Sequence, residues 1–235
     1  EEGTKFINQL LGTSDPNSTN FATLPNIVDE TMFVPGEQDD DRRSWLKNEL
    51  GVPADSRIAI WPARHISEGY VDKGIPEFLK KLSPDMFSNW KIAIFGDGPL
   101  RGEVEKTISD RGLGDVVILR PFVTPGEMPG YYQGADLFLL PSLRDPNPLS
   151  TVEALMCGLP ILVSNRIGNF PEALIVGTNG WGFAPYESLQ VEKAVSSAFG
   201  TSSETLRAMG AESRKIALNV WKSETAVARF FDQVL

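Results

Sequence analysis

Two acids eight positions apart, Asp145 and Glu153, form the pair best suited to chemistry in this chain. They sit in Ser142-Leu143-Arg144-Asp145-Pro146-Asn147-Pro148-Leu149-Ser150-Thr151-Val152-Glu153, which follows an apolar run and reads as strand, turn and helix start. Asn147 is expected as the helix N-cap, with Pro148 at the first helical position. The N–H groups of Leu149 and Ser150 would then face the crevice, where an anion could accept them. Asp145 lies before the helix and Glu153 in its second turn, so one acid can face the crevice centre and the other sit deeper. Carboxylates accept paired hydrogen bonds from vicinal hydroxyls, and such a pair suits sugars. The plainer alternative is that both acids only favour the positive end of a helix.

Arg64 and Lys73 are the matching cations. Arg64 lies just past the run Ile58–Trp61, and Lys73 just before a helix expected near Gly74. Both fall where strand C-termini meet helix N-termini, the rim at which open α/β sheets bind ligands. Two cations beside helix N–H groups suit a diphosphate; two solvated loop cations are the alternative. Gly96-Asp97-Gly98-Pro99-Leu100-Arg101-Gly102 also joins a strand to a helix. Gly96 and Gly98 are expected in a tight turn near a ligand. Against a dinucleotide fingerprint, the third glycine comes one residue late and the next strand ends in Arg120 rather than an acid.

Other candidates read as structure. Asp39, Asp40 and Asp41 precede an apolar-periodic stretch and suit the first turn of a helix, so no metal is expected. Cys157, the single cysteine, reads as a small buried hydrophobe, and His65, the single histidine, as a satisfied loop residue. Asp136 and Glu172 read as cap or loop acids.

These residues need a frame, and the middle of the chain supplies one. Ile58–Trp61, Ile92–Phe95, Val116–Leu119, Leu137–Leu140 and Ile161–Val163 are apolar at consecutive positions, as in strands covered on both faces. Between them lie helical periods: Ile75, Phe78, Leu79 and Leu82; Leu100, Val104 and Ile108; Met128, Tyr131 and Tyr132; Leu149, Val152, Leu155 and Met156. That alternation predicts an α/β fold with a doubly wound, Rossmann-like parallel sheet. Val227, Phe230, Phe231 and Val234 mark a last helix within Glu224–Leu235.

Composition narrows the classes. The 235 residues carry 22 basic and 31 acidic side chains, a net charge of −9, and 41% are hydrophobic. One core of domain size is affordable at that length, while the negative balance opposes nucleic acid as a partner. One cysteine excludes an internal disulfide framework, and with a single histidine neither a His-rich metal site nor a Ser-His-Asp triad is expected within the chain. No apolar stretch reaches the roughly 20 residues of a membrane span and no signal peptide is evident, which fits a cytoplasmic protein.

The order of motifs resembles the second domain of family-four retaining glycosyltransferases of the GT-B fold. Pro25-Asn26-Ile27-Val28-Asp29 followed by Phe33-Val34-Pro35 looks like the hinge that opens that domain. Arg64 through Lys73-Gly74, Gly96-Asp97-Gly98-Pro99, Phe122-Val123 and Ala135–Ser142 follow in the family's order. The acid pair, Glu153–Pro160 and Gly177-Thr178-Asn179-Gly180 complete the set. The resemblance implies that residues 26–220 form a nucleotide-sugar donor-binding domain, that residues 1–25 are the end of an acceptor domain, and that residues 221–235 are a helix crossing back to it. It implies Arg64 and Lys73 on the diphosphate and Asp145 on the sugar hydroxyls. Main-chain groups of Asn147, Leu149 and Ser150 would help to position sugar and phosphate, with Glu153 on the ribose and the base near Phe122-Val123-Thr124. It implies retention of configuration, a nucleotide sugar as substrate, no cofactor and no metal.

Three departures stand out. The first acid is Asp145 where the family usually has Glu, so its carboxylate reaches less far. The Arg64–Lys73 segment is longer than usual, and Pro146-Asn147-Pro148 replaces a glycine-containing turn. The Asp145 change and the proline-flanked turn favour, as the second reading, a non-catalytic nucleotide- or sugar-binding module. A sugar-nucleotide epimerase is a third. With the first domain lacking, the isolated chain is expected not to turn over; its parent could still associate with a membrane surface.

Overall fold

In the computed structural model, residues 25–36, 41–68 and 71–234 are described. The readings placed on residues 1–24, and on Asp39 and Asp40, lie outside them. Helix α1 (Asp41–Leu50) has Asp41 in its first turn, as expected, and leads to strand β1 (Arg57–Pro62). A two-residue hairpin, β2 (Ser67–Glu68) and β3 (Val71–Asp72), precedes α2 (Ile75–Leu79). Then come β4 (Trp90–Phe95), α3 (Arg101–Asp110), β5 (Val117–Arg120), α4 (Met128–Gly134) and β6 (Leu137–Leu140). They are followed by α5 (Leu149–Met156), β7 (Ile161–Ser164), α6 (Phe170–Ala173) and β8 (Gly180–Phe183). Helices α7 (Ser188–Phe199), α8 (Ser203–Val220) and α9 (Ser223–Val234) close the described chain.

Six strands form one parallel sheet in the order β5-β4-β1-β6-β7-β8. Ile58, Ile60, Ile92, Ile94, Leu137–Leu140 and Ile161–Val163 are fully buried, because helices cover both faces of the central strands. The edge strand β8 was not apparent in the sequence. Its Gly-Trp-Gly-Phe composition is poor for a strand, but a Cβ on Gly180 would lie 2.0 Å from the Ile161 carbonyl oxygen. Close approach to β7 therefore demands glycine there.

The sheet order fixes where a ligand can sit. From β1 the chain builds outward through β4 to β5, then returns to place β6 on the other side of β1. Loops after β1 and β6 thus diverge onto opposite faces and leave a crevice between them at the strands' C-terminal ends. Arg64 follows β1, and Asp145 follows β6. No helix among the described residues is long and apolar enough to cross a membrane.

Candidate functional site

The crevice is a cleft of about 690 Å³, within the size range of small-molecule sites. Arg64, Lys73, Gly96, Val123, Asp145, Asn147, Leu149, Ser150 and Glu153 all line it. Of the glycine pair, Gly96 lines the cleft and Gly98 does not.

Its floor comes from two crests locked together. Ala63 N–H donates to the Phe95 carbonyl at 2.9 Å, and His65 N–H to that of Asp97 at 3.0 Å. A Cβ on Gly96 would fall 2.1 Å from the Ala63 carbonyl oxygen, and one on Gly98 2.5 Å from that of His65. Both glycines therefore serve close backbone packing of the β1 and β4 loops. Arg64 rides on that packed loop with its side chain exposed, and its guanidinium has no ion pair or hydrogen bond among the described residues. His65 is fully buried, contrary to the satisfied loop residue expected. Neither ring nitrogen finds a partner among the described residues, and burial pushes its pKa down.

The long Arg64–Lys73 segment is explained by the β2–β3 hairpin. Asp72 N–H donates to the Arg144 carbonyl at 2.7 Å, and its own carbonyl accepts from Leu143 at 2.9 Å and Arg144 at 3.1 Å. The Asp72 carboxylate accepts from Gly74 N–H at 2.9 Å and from the Ser67 hydroxyl at 2.6 Å. This main-chain pairing delivers Lys73 onto the loop after β6, where its ammonium pairs with the Asp145 carboxylate. Both side chains are largely buried, at 12% and 6% exposure.

A second grip holds the acid from the other side. Asp145 N–H donates to Arg166 at 3.2 Å, and Gly168 N–H donates to the Asp145 carbonyl at 2.8 Å. Asn169 adds a side-chain bond to the Pro148 carbonyl at 3.2 Å. A Cβ on Gly168 would fall 1.6 Å from the Pro146 carbonyl oxygen, so only glycine permits this contact.

Helix α5 begins one residue later than expected. Pro148, extended at φ −73° and ψ 110°, occupies the N-cap position assigned to Asn147, and no side chain caps the helix. Leu149 and Ser150 are its first residues, so their N–H groups have no intrahelical acceptor and border the cleft. One turn on, Glu153 projects into the cleft, and its Oε2 accepts from the Tyr132 hydroxyl at 2.7 Å. Burial raises the Glu153 pKa, and this hydrogen bond opposes the shift. Phe122, 65% exposed, and Val123 form the outer wall.

The remaining candidates are structural. Asp136 accepts from Ile58 N–H at 2.9 Å and pairs with Arg43, tying α1 to the sheet. Cys157 is buried, and its thiol pKa is pushed up by that burial. Asn179 accepts from Ile175 N–H at 2.8 Å and donates to the Ala173 carbonyl at 2.9 Å, which makes its motif a brace. Glu172 stands in the first turn of α6. Tyr132 and the hairpin were not foreseen as parts of the site. Tyr132 read as a core position of its helix, and nothing local links it to an acid 21 residues away. Among the described residues, no cluster of three or more His, Cys, Asp or Glu could hold a metal ion.

Known proteins share this fold. HepE of Anabaena, solved in complex with UDP-glucose, superposes with a TM-score of 0.70 at 20% identity, covering 89% of this chain and 56% of that one. The C-terminal domain of a glycosyl transferase group 1 family protein (LpcC) from Francisella tularensis gives 0.68 at 20% identity, over 83% of this chain and 99% of that one. The fold is that of the GT-B glycosyltransferases. In sequence, the alpha-monoglucosyldiacylglycerol synthase of Acholeplasma laidlawii is 31% identical over 170 residues, 72% of this chain and 42% of that protein. The chain spans about half the length of the curated relatives it matches. Residues 46–216, which carry the sheet and every residue lining the cleft, match the model of the family described as glycosyl transferases group 1, and the chain belongs to that family.

Proposed function

We propose that this chain is the donor-binding part of a retaining glycosyltransferase that takes its sugar from a nucleotide diphosphate sugar. One observation carries the reading. Two cations and two helix N–H groups without an intrahelical acceptor share one cleft with two carboxylates, at the switch point of a parallel sheet. Arg64, Lys73 and the N–H groups of Leu149 and Ser150 meet the diphosphate and stabilise the charge it gains as the glycosidic C–O bond breaks. Asp145 accepts from the sugar hydroxyls and Glu153 from the ribose diol. The base lies against Phe122 and Val123.

The Lys73–Asp145 pair joins the two halves of that task. Both partners line the cleft and are largely buried, so in this reading one unit meets the diphosphate through Lys73 and the sugar through Asp145. The hairpin lends this short acid a fixed place that the usual longer side chain would reach for itself. In a retaining transfer the departing phosphate takes the acceptor's proton on the face it leaves, and no nucleophilic side chain is required. The acceptor belongs to the half of the parent protein that this chain does not span, and the chain alone binds donor without turnover. Membrane-surface association of the parent is compatible with this division.

Calorimetric titration with UDP, GDP and ADP and their sugar forms, without metal and then with magnesium, tests the reading. Metal-independent binding of one diphosphate supports it, and binding of none contradicts it. The second reading, a binding module without transfer, draws on the Pro146-Asn147-Pro148 turn, which leaves fewer donors around the phosphate than a glycine turn. Donor binding by this chain with no transfer or donor hydrolysis by the full-length parent would favour it.

A further inference from the structure

Tyr132 does not line the cleft, yet it holds a residue that does. Its side chain is completely buried, and its hydroxyl donates to Oε2 of Glu153 at 2.7 Å. The ring cannot turn away. Phe33 packs edge-on against it at a centroid distance of 6.0 Å, and Phe138 lies tilted at 6.3 Å. Phe33 is fixed in turn, since its carbonyl accepts from Arg214 at 3.0 Å. A clamped phenol gives its hydroxyl one direction, whereas a glutamate has three side-chain torsions to lose.

The surroundings leave that hydroxyl a defined task. Among the described residues, Glu153 has no ion pair, and Tyr132 is the one side chain donating to its carboxylate. Cys157, a buried thiol, lies within electrostatic reach of Glu153 and of Arg214, and its own pKa is pushed up by burial. Burial works against the charge on Glu153 and the hydroxyl works for it. With Oε2 held inward, Oε1 is the oxygen left for a ligand in the cleft.

We propose that Tyr132 is a positioning residue of the donor site: its hydroxyl fixes Oε2 of Glu153 and so presents Oε1 to the vicinal diol of the ribose. The inference rests on the donor reading of the cleft.

The test compares a ribonucleoside diphosphate with its 2′,3′-dideoxy counterpart, titrated into the wild-type chain, Tyr132→Phe, Glu153→Gln and the double variant. Tyr132→Phe is expected to weaken the ribose ligand about tenfold, the scale of one hydrogen bond to a charged group, and the dideoxy ligand by less than about twofold. Glu153→Gln removes the preference, and adding Tyr132→Phe to it changes nothing further, because the phenol acts through the acid. A wild-type preference that survives Tyr132→Phe overturns the proposal alone, as does equal weakening of both ligands. A wild-type chain indifferent to the hydroxyls, or binding neither ligand, overturns the donor reading and the proposal with it. Should Tyr132→Phe fail to fold, Tyr132→3-fluorotyrosine alters the donor strength in place. An altered ribose preference at constant dideoxy affinity then supports the proposal, and an unaltered one overturns it.

Discussion

Replacing Lys73 by Met should cost far more stability than a surface lysine would. The side chains of Lys73 and Asp145 are 12% and 6% exposed, which places the pair with buried rather than surface ion pairs. Exposed pairs contribute about 0.2–1 kcal/mol. Removing one partner of a buried pair costs about 3–5 kcal/mol, because the other charge is left desolvated without compensation. Since Asp145 borders an open cleft that admits water, the lower end applies, about 3 kcal/mol. For a chain of this size that is a fall in melting temperature of roughly 6–12 °C. Lys73→Met keeps the apolar stem and removes the charge, so little packing is lost with it.

A double-mutant cycle separates the pair from the site. Asp145→Asn alone strands the lysine, and Lys73→Met/Asp145→Asn removes both charges, so the double variant should be more stable than the sum of the singles by about 2 kcal/mol. Urea unfolding at neutral pH gives all four values. The difference should barely change between low and high salt, since buried pairs are weakly screened. A cost below about 0.5 kcal/mol for Lys73→Met, with no coupling, would refute the claim that the hairpin drives a buried contact.

Gly168→Ala should displace the acid loop, since its Cβ would lie 1.6 Å from the Pro146 carbonyl oxygen. A loss of about 1–3 kcal/mol by urea unfolding, with weaker sugar-nucleotide binding, is expected; wild-type values for both would show that the loop yields freely. His65 makes stability acid-sensitive: its pKa is lowered in the folded chain, so below the ordinary value of 6.5 the unfolded chain takes up a proton that the folded one resists. Stability from this residue is complete above that pH and declines as pH falls through it. His65→Leu should flatten the dependence between about pH 6.5 and 5, and an unchanged slope would count against the buried imidazole. Glu153, whose raised pKa acts in the opposite sense, is common to both proteins and cancels in the comparison.

How far the sequence discloses the molecule depends on the range of each interaction. Strands β1, β4, β6 and β7 were legible because both faces are covered and the runs Ile58–Trp61, Ile92–Phe95, Leu137–Leu140 and Ile161–Val163 within them are apolar at consecutive positions. Their order alone put Arg64 and Asp145 on the rim of one crevice. Strand β8 escaped notice because Gly180 answers to a contact with Ile161, not to its neighbours in sequence. The hairpin had no periodic signal in two-residue strands, and its meaning lies in pairing with Arg144, 72 residues from Asp72. The Asn147 cap was misplaced by one position because Pro148 takes an extended ψ and ends the turn itself. Glu153 could be named as a candidate, but the phenol that holds it could not, since a tyrosine at helical spacing reads as core.

Binding of a nucleoside diphosphate and of its nucleoside to the wild-type chain and to Arg64→Ala tests the donor site most directly. Arg64 is exposed on the rim without an ion-pair partner among the described residues, so its removal should leave the fold and melting temperature unchanged. If the cleft is a donor site, Arg64→Ala weakens the diphosphate about tenfold or more, in line with one charge-assisted contact, and leaves nucleoside affinity as it was. Equal weakening of both ligands, or of neither, would contradict it.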